Sequence, residues 1–195
     1  MKKLIFFSKN NNKVKEVQAF FKKNKIKILS LVDYSDFNSP KESGSTFEEN
    51  AEIKALFGFN KFNMPCFADD SGICIKALNN LPGVESKRYM INNGGTEKTL
   101  NLIIKTVKKE KNYEAFFKTS ISLILDKNKK YFFSGLINGK ISTKLLGNKG
   151  FGYDPIFIPD GFSKTFAEMS IEEKNVVSHR YLALKKLKVF ILNSF

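Results

Sequence analysis

Segments that read as strands and as helices alternate along this chain. Lys3 to Phe7 reads as a buried strand, and Ser8 to Asn12 as a polar loop. Lys13 to Lys23 has helical spacing, with Val14, Val17, Phe20 and Phe21 on one face. Ile26 to Leu31 reads as a second strand. After a loop from Ser39 to Ser45, a helix is predicted from Thr46 to about Phe57, with Ser45 and Glu48 as its capping box. Cys66 to Asp69 reads as a short strand broken at Ser71-Gly72, with Ile73 to Leu78 extended beyond it and a turn at Asn79 to Gly83. Thr96 to Lys108 is helical, with Leu100, Ile103, Ile104 and Val107 inward. Tyr113 to Leu125 and Lys130 to Ile137 are rich in aromatic and β-branched residues and form an antiparallel pair. A glycine-rich loop follows at Gly147 to Gly152, then a short strand at Ile156 to Ile158. Ser170 and Glu173 mark a second cap, and a last helix runs from about Ser178 to Leu192. This order predicts an α/β or α+β fold with a mixed sheet and crossover helices.

A length of 195 residues predicts one domain or a single two-lobed unit. The longest apolar runs, Leu4 to Phe7 and Val189 to Leu192, fall far short of the roughly 20 residues that a membrane span needs. The opening Met1-Lys2-Lys3 imitates a secretory leader, but the apolar stretch after it is shorter than the roughly 7–15 residues required. Cys66 and Cys74 lie beside apolar residues and read as reduced core thiols of a cytosolic protein. His179 is the only histidine, so no Cys/His metal spacing exists. The net charge of +14 suits a polyanionic partner: nucleic acid, a membrane surface or a phosphorylated small molecule. Lysines are spread along the whole chain, however, as on a solvated surface. Only two of the 33 basic residues, Arg88 and Arg180, are arginine, and lysine cannot replace a planar guanidinium fork.

Five segments carry candidate chemistry. Ser8, Lys9, Asn10, Asn11, Asn12 and Lys13 join the first strand to the first helix, where free N–H groups and the helix dipole favour phosphate. An ordinary polar connection has the same composition, and no G-x-x-x-x-G-K-[ST] pattern occurs. Glu42 lies in a loop before the second helix, where a carboxylate can reach an ion, and Lys54 lies on that helix. Asp69 and Asp70 end an apolar strand before Ser71-Gly72. Successive strand residues face opposite sides, so one carboxylate is expected to face a metal and the other to support it. Hard oxygen donors of this kind suit Mg²⁺, although a turn with acidic caps has the same spacing. Phe151, Gly152, Tyr153 and Asp154 follow Gly150; the glycines permit close backbone approach, and the two rings can stack on a base. The spacing Gly147-x-x-Gly150-x-Gly152 is the dinucleotide fingerprint reversed, so a Rossmann site is excluded. Lys174, His179 and Arg180 flank the start of the last helix.

In order and with similar gaps, these segments resemble the Ham1-like family of inosine/xanthosine triphosphate pyrophosphatases. The resemblance rests on Thr46-Phe47-Glu48-Glu49-Asn50-Ala51, Ala68-Asp69-Asp70-Ser71-Gly72, Leu81-Pro82-Gly83-Val84, Phe151-Gly152-Tyr153-Asp154-Pro155 and Ser178-His179-Arg180. It implies an elongated central mixed sheet flanked by helices, with two lobes around a substrate cleft. It implies a cytoplasmic, homodimeric, Mg²⁺-dependent enzyme of one domain, residues 1–195. This enzyme would cleave dITP, ITP, XTP or dXTP to monophosphate and pyrophosphate and so cleanse the nucleotide pool. Glu42 and Asp70 would hold the metal, and Asp70, supported by Asp69, would act as base. Ser8 to Lys13, Lys54 and Ser71 would hold triphosphate. Phe151 to Asp154, Lys174, His179 and Arg180 would hold the base.

A 6-keto purine offers an acceptor where adenine offers an amino donor. Arg180 or His179 donating there would leave donor facing donor with ATP, a mismatch that discriminates by about 10⁴–10⁵. Two positions depart from the family pattern. Lys9 stands where a glycine is usual, which would strain a positive φ, and Tyr181 replaces the glycine after Ser-His-Arg. A basic nucleic-acid-binding module would explain the charge but not Asp69-Asp70, so no specific nucleic acid is expected. A Maf-like pyrophosphatase of different base preference is the nearer rival.

Overall fold

The computed structural model describes residues 2–22, 24, 26–31 and 39–194. Among them run strands β1 (Lys2–Phe6), β2 (Ile26–Ser30), β3 (Cys66–Ile75), β4 (Glu114–Asp126), β5 (Lys129–Ile141) and β6 (Phe157–Pro159). The helices are α1 (Asn11–Phe21), α2 (Phe47–Phe62), α3 (Ser86–Asn92), α4 (Thr96–Glu110), α5 (Ile171–Val177) and α6 (His179–Ser194). The strands form one six-stranded sheet in the order β2-β1-β3-β4-β5-β6. It is mixed, as expected. β1 is parallel to β2 and β3, β5 is antiparallel to β6, and only two residues join the adjacent strands β4 and β5, a connection that permits antiparallel pairing alone.

The chain divides into two compact units. The first comprises the residues up to Asp70, Thr119–Gly135 and those from Tyr181 onward; the second comprises Ser71–Lys118 and Leu136–Arg180. In the first unit, strand alternation sorts side chains to two faces. Leu4, Phe6, Phe67, Ile121 and Leu123 pack with Val14, Val17 and Phe21 of α1 and with Ala183, Leu184, Leu187 and Ile191 of α6. Ile5, Phe7, Cys66, Ala68 and Ile124 face the other way, against Ala55 and Phe59 of α2. In the second unit, Leu100, Ile103, Ile104 and Val107 of α4 pack with Ile73, Ile75, Ala115, Phe117, Tyr153, Phe157 and Phe166. The inward positions expected of α4 are therefore the buried ones.

Several boundaries differ from the sequence expectation. Helix α1 ends at Phe21, and the expected end at Lys23 lies outside the described residues. The capping box of α2 is Thr46 with Glu49, one residue later than Ser45 with Glu48. Both pairs match the pattern. The shift lets Glu48 accept a hydrogen bond from Ser120 Oγ at 2.8 Å, while Ser45 donates to Glu49. Helix α2 also continues past Phe57 to Phe62. Gly58 does not end it, because the missing side chain makes room for close packing: a Cβ there would lie 2.5 Å from Cys66 Sγ and 2.6 Å from Phe7. Strand β3 is not broken at Ser71-Gly72 but runs to Ile75, flanked by β1 and β4. Lys76–Leu78 form a 3₁₀ turn rather than more strand.

Candidate active site

Alternation along β3 places the two carboxylates. Phe67 faces α1 and Ala68 faces α2, so Asp69 continues the α1 side and Asp70 the α2 side. Their partners follow from this. Lys13 of α1 pairs with Asp69 Oδ2 at 3.0 Å, and Lys54 of α2 pairs with Asp70 Oδ1 at 3.2 Å. Both carboxylates are buried. Burial, together with the like charges of Glu42 and Asp69, pushes the Asp70 carboxyl above its ordinary value, against the opposing pull of Lys54 and Lys13. Burial works against the Lys54 charge, yet Asp70, Glu42 and Asp69 together hold that ammonium above its ordinary range.

Lys54 also pairs with Glu42 Oε1 at 3.1 Å. The two carboxylates expected to hold a metal therefore converge on one cation, although they come from a loop and a strand 28 residues apart in sequence. This donor chemistry fits a hard divalent ion. Among the described residues no group of three or more His, Cys, Asp and Glu side chains is placed to hold a metal. An ion bound by Glu42 and Asp70 would complete its shell with water and phosphate oxygens, as Mg²⁺ commonly does.

Asn50 was not singled out by the sequence. It is fully buried one helical turn before Lys54, and its Nδ2 donates to Asp70 Oδ2 at 3.4 Å and to the Gly44 carbonyl at 3.3 Å. Its Oδ1 accepts from Gly44 N at 2.8 Å, which ties the loop carrying Glu42 to α2. The available signal was an amide at i−4 from Lys54, within a helix face otherwise built from Phe47, Ala51 and Ala55.

The β1–α1 loop is exposed from Lys9 to Asn12, with Ser8 and Lys13 half-buried. Asn10 caps α1: its Oδ1 accepts from Asn12 N at 3.0 Å and Lys13 N at 3.2 Å. Its amide nitrogen, rather than its oxygen, is thus the group suited to an anion. Lys9 lies outside the left-handed region, which among described non-glycine residues holds only Asn63, Asn79, Asn80 and Lys111. The strain foreseen for a lysine in place of glycine does not arise. Tyr181, the other departure, packs edge-on against Phe20 of α1 at 5.3 Å, within the first unit.

In the second unit, Ser71 Oγ accepts from Arg180 Nη2 at 3.1 Å, and Arg180 is buried. His179 stacks on Phe117, with centroids 4.6 Å apart and planes within 6°. Lys174 Nζ pairs with Asp154 Oδ2 at 2.7 Å and lies over the rings of Phe151 at 4.9 Å and Phe166 at 5.5 Å. Asp154 Oδ2 also accepts from Phe151 N at 2.8 Å, and a Cβ at Gly150, where φ is +72°, would collide with the same carboxylate. The glycine is therefore needed both for its φ and for the closeness of Asp154. Tyr153 differs from expectation. Its ring is 5% exposed within the core, and its hydroxyl donates to the Ser86 carbonyl at 2.7 Å, so it is not placed to stack on a base. Phe151 is half-buried and retains that option. Among the described residues no helix is long and apolar enough to cross a membrane.

The chain is similar to known proteins over nearly its whole length. The chain is 42% identical over 185 residues, 95% of both sequences, to the dITP/XTP pyrophosphatase of Flavobacterium johnsoniae. It is 40% identical over 189 residues to that of Christiangramia forsetii, covering 97% of this chain and 98% of the relative. A HAM1 protein from Coxiella burnetii superposes over the whole of both chains with a TM-score of 0.89 at 33% identity. The Staphylococcus aureus Ham1 protein does so at 0.87 and 32%. The sequence profile described as "Ham1 family" spans residues 4–190, and so takes in Ser8 at one end and Arg180 at the other. The chain belongs to the Ham1 family.

Proposed function

We propose that this protein hydrolyses non-standard purine nucleoside triphosphates, dITP, ITP, XTP and dXTP, to the monophosphate and pyrophosphate, and so removes them from the precursor pool. The observation that carries this reading is the convergence of Glu42 and buried Asp70 on one cation, in a chain alike over nearly its full length to dITP/XTP pyrophosphatases. Glu42 and Asp70 would hold Mg²⁺, which when bound neutralises charge on the phosphates. Asp70 orients water or takes its proton, as a carboxylate beside the proposed metal can. Asp69, held by Lys13, supports it. Ser8, Lys9, Asn10, Asn11, Asn12 and Lys13, with Lys54 and Ser71, bind the triphosphate.

Phe151, Gly152, Tyr153, Asp154, Lys174, His179 and Arg180 receive the base. Phe151 supplies a ring face, and Gly152 and the Tyr153 backbone supply a close surface. Asp154 with Lys174 fixes the loop. Arg180 or His179 donates to the 6-keto oxygen. Two free, buried cysteines agree with a cytoplasmic setting; a homodimer follows from the resemblance alone. Phosphorus NMR on dITP with Mg²⁺ tests the bond cleaved. The expected products are dIMP and pyrophosphate in equal amounts. Release of orthophosphate and a diphosphate would refute cleavage at the α-phosphorus.

A further inference from the structure

The Lys54 ammonium lies between the two carboxylates proposed to hold the metal. Its Nζ lies 3.1 Å from Glu42 Oε1 and 3.2 Å from Asp70 Oδ1, so one ammonium satisfies both carboxylates at once. These are spacings for N–H donors. A magnesium ion takes its oxygens at about 2.0–2.1 Å, so the two carboxylates must close up around it. The pieces differ in freedom to do so. The Asp70 side chain is 7% exposed and also held by Asn50, whereas that of Glu42 is 43% exposed at the end of a loop. Two cations on the same pair of oxygens at contact distance repel each other. Lysine carries its charge on a flexible four-carbon stem and can swing away.

We propose that the Lys54 ammonium is a built-in competitor for the divalent cation. It balances Glu42 and Asp70 in the resting protein and cedes them only when a triphosphate offers it new acceptors. The metal site is thereby coupled to substrate: metal alone binds weakly, and the cation that held the carboxylates becomes one that holds phosphate. The inference rests on Glu42 and Asp70 being the metal ligands.

The test titrates Mn²⁺ alone, without nucleotide, into the wild-type protein and the Lys54→Met and Lys54→Gln variants, following free Mn²⁺ by electron paramagnetic resonance. Circular dichroism melts establish that each variant is folded, and Lys54→Gln, which keeps a polar group between the carboxylates, serves if Lys54→Met is not. Removing the competitor is expected to tighten Mn²⁺ binding by about 5–150-fold, the usual span for coupling between sites, with the gain abolished by adding Asp70→Asn. Unchanged or weaker binding in the folded variants, with Asp70→Asn still abolishing binding in the wild-type background, overturns the competition and leaves the ligand assignment standing. Binding indifferent to Asp70→Asn overturns the ligand assignment and the competition with it.

Discussion

Asp70→Asn is expected to lower kcat for dITP by about 10²–10⁴-fold, the contribution of a positioned base, with loss of a metal ligand adding to it. The amide keeps the shape and can still receive a hydrogen bond from Asn50, but it cannot take a proton from water. The fall should not come from unfolding. Burial dominates at this carboxyl and lifts its folded value above the unfolded one. Such a group binds its proton more tightly in the folded state, so stability is lost as pH rises through the window between those values. Above the unfolded value, and so at neutral pH, Asp70 therefore costs stability, and the asparagine variant should melt no lower than wild type. Toward acid pH, where both forms are neutral, the melting temperatures should converge. A variant that melts far below wild type at neutral pH would show that the Lys54 pairing, not burial, governs Asp70.

Asp154→Ala should destabilise the protein by about 3–5 kcal/mol, because it leaves the Lys174 ammonium buried without its carboxylate. Asp154 lies 2.7 Å from that ammonium and also receives Phe151 N, so its loss frees the loop that carries the stacking ring. Urea unfolding measures the first effect, and the KM for dITP, expected to rise, measures the second. The double variant Asp154→Ala/Lys174→Met separates them. Replacing both charges with apolar groups should restore much of the stability while KM stays high, since Phe151 N remains untethered. Equal stability of wild type and Asp154→Ala would mean that the pair does not hold this loop.

The strand and helix pattern was legible wherever local periodicity and tertiary packing agree. The α4 face of Leu100, Ile103, Ile104 and Val107 and the Ser170–Glu173 capping box are as the sequence indicates. It was misleading where tertiary contacts overrule local preference. Ser71-Gly72 looks like a strand breaker, but β3 runs through it from Cys66 to Ile75, as a strand interior to the sheet. Gly58 would ordinarily weaken a helix, but here it admits Cys66 and Phe7. The candidate site residues were named from motifs, and strand alternation separated Asp69 from Asp70 as the structure does. The pairing of these acids with Lys13 and Lys54 was not nameable, because it depends on which helix covers which face of the sheet. Tyr153 shows the converse limit. An aromatic in a glycine-rich loop suits a ligand and a core equally well, and only the Ser86 carbonyl under its hydroxyl decides between them.

Base discrimination tests the central claim most directly. Purified protein with Mg²⁺ is given dITP, XTP and dATP in turn, and pyrophosphate release yields kcat/KM for each. A 6-keto group that accepts from Arg180 or His179 should favour dITP and XTP over dATP by about 10⁴–10⁵, the discrimination that buried, mismatched donors can impose. Comparable turnover of dATP would contradict both the assignment of those donors and the account of this protein as an enzyme for non-standard purines.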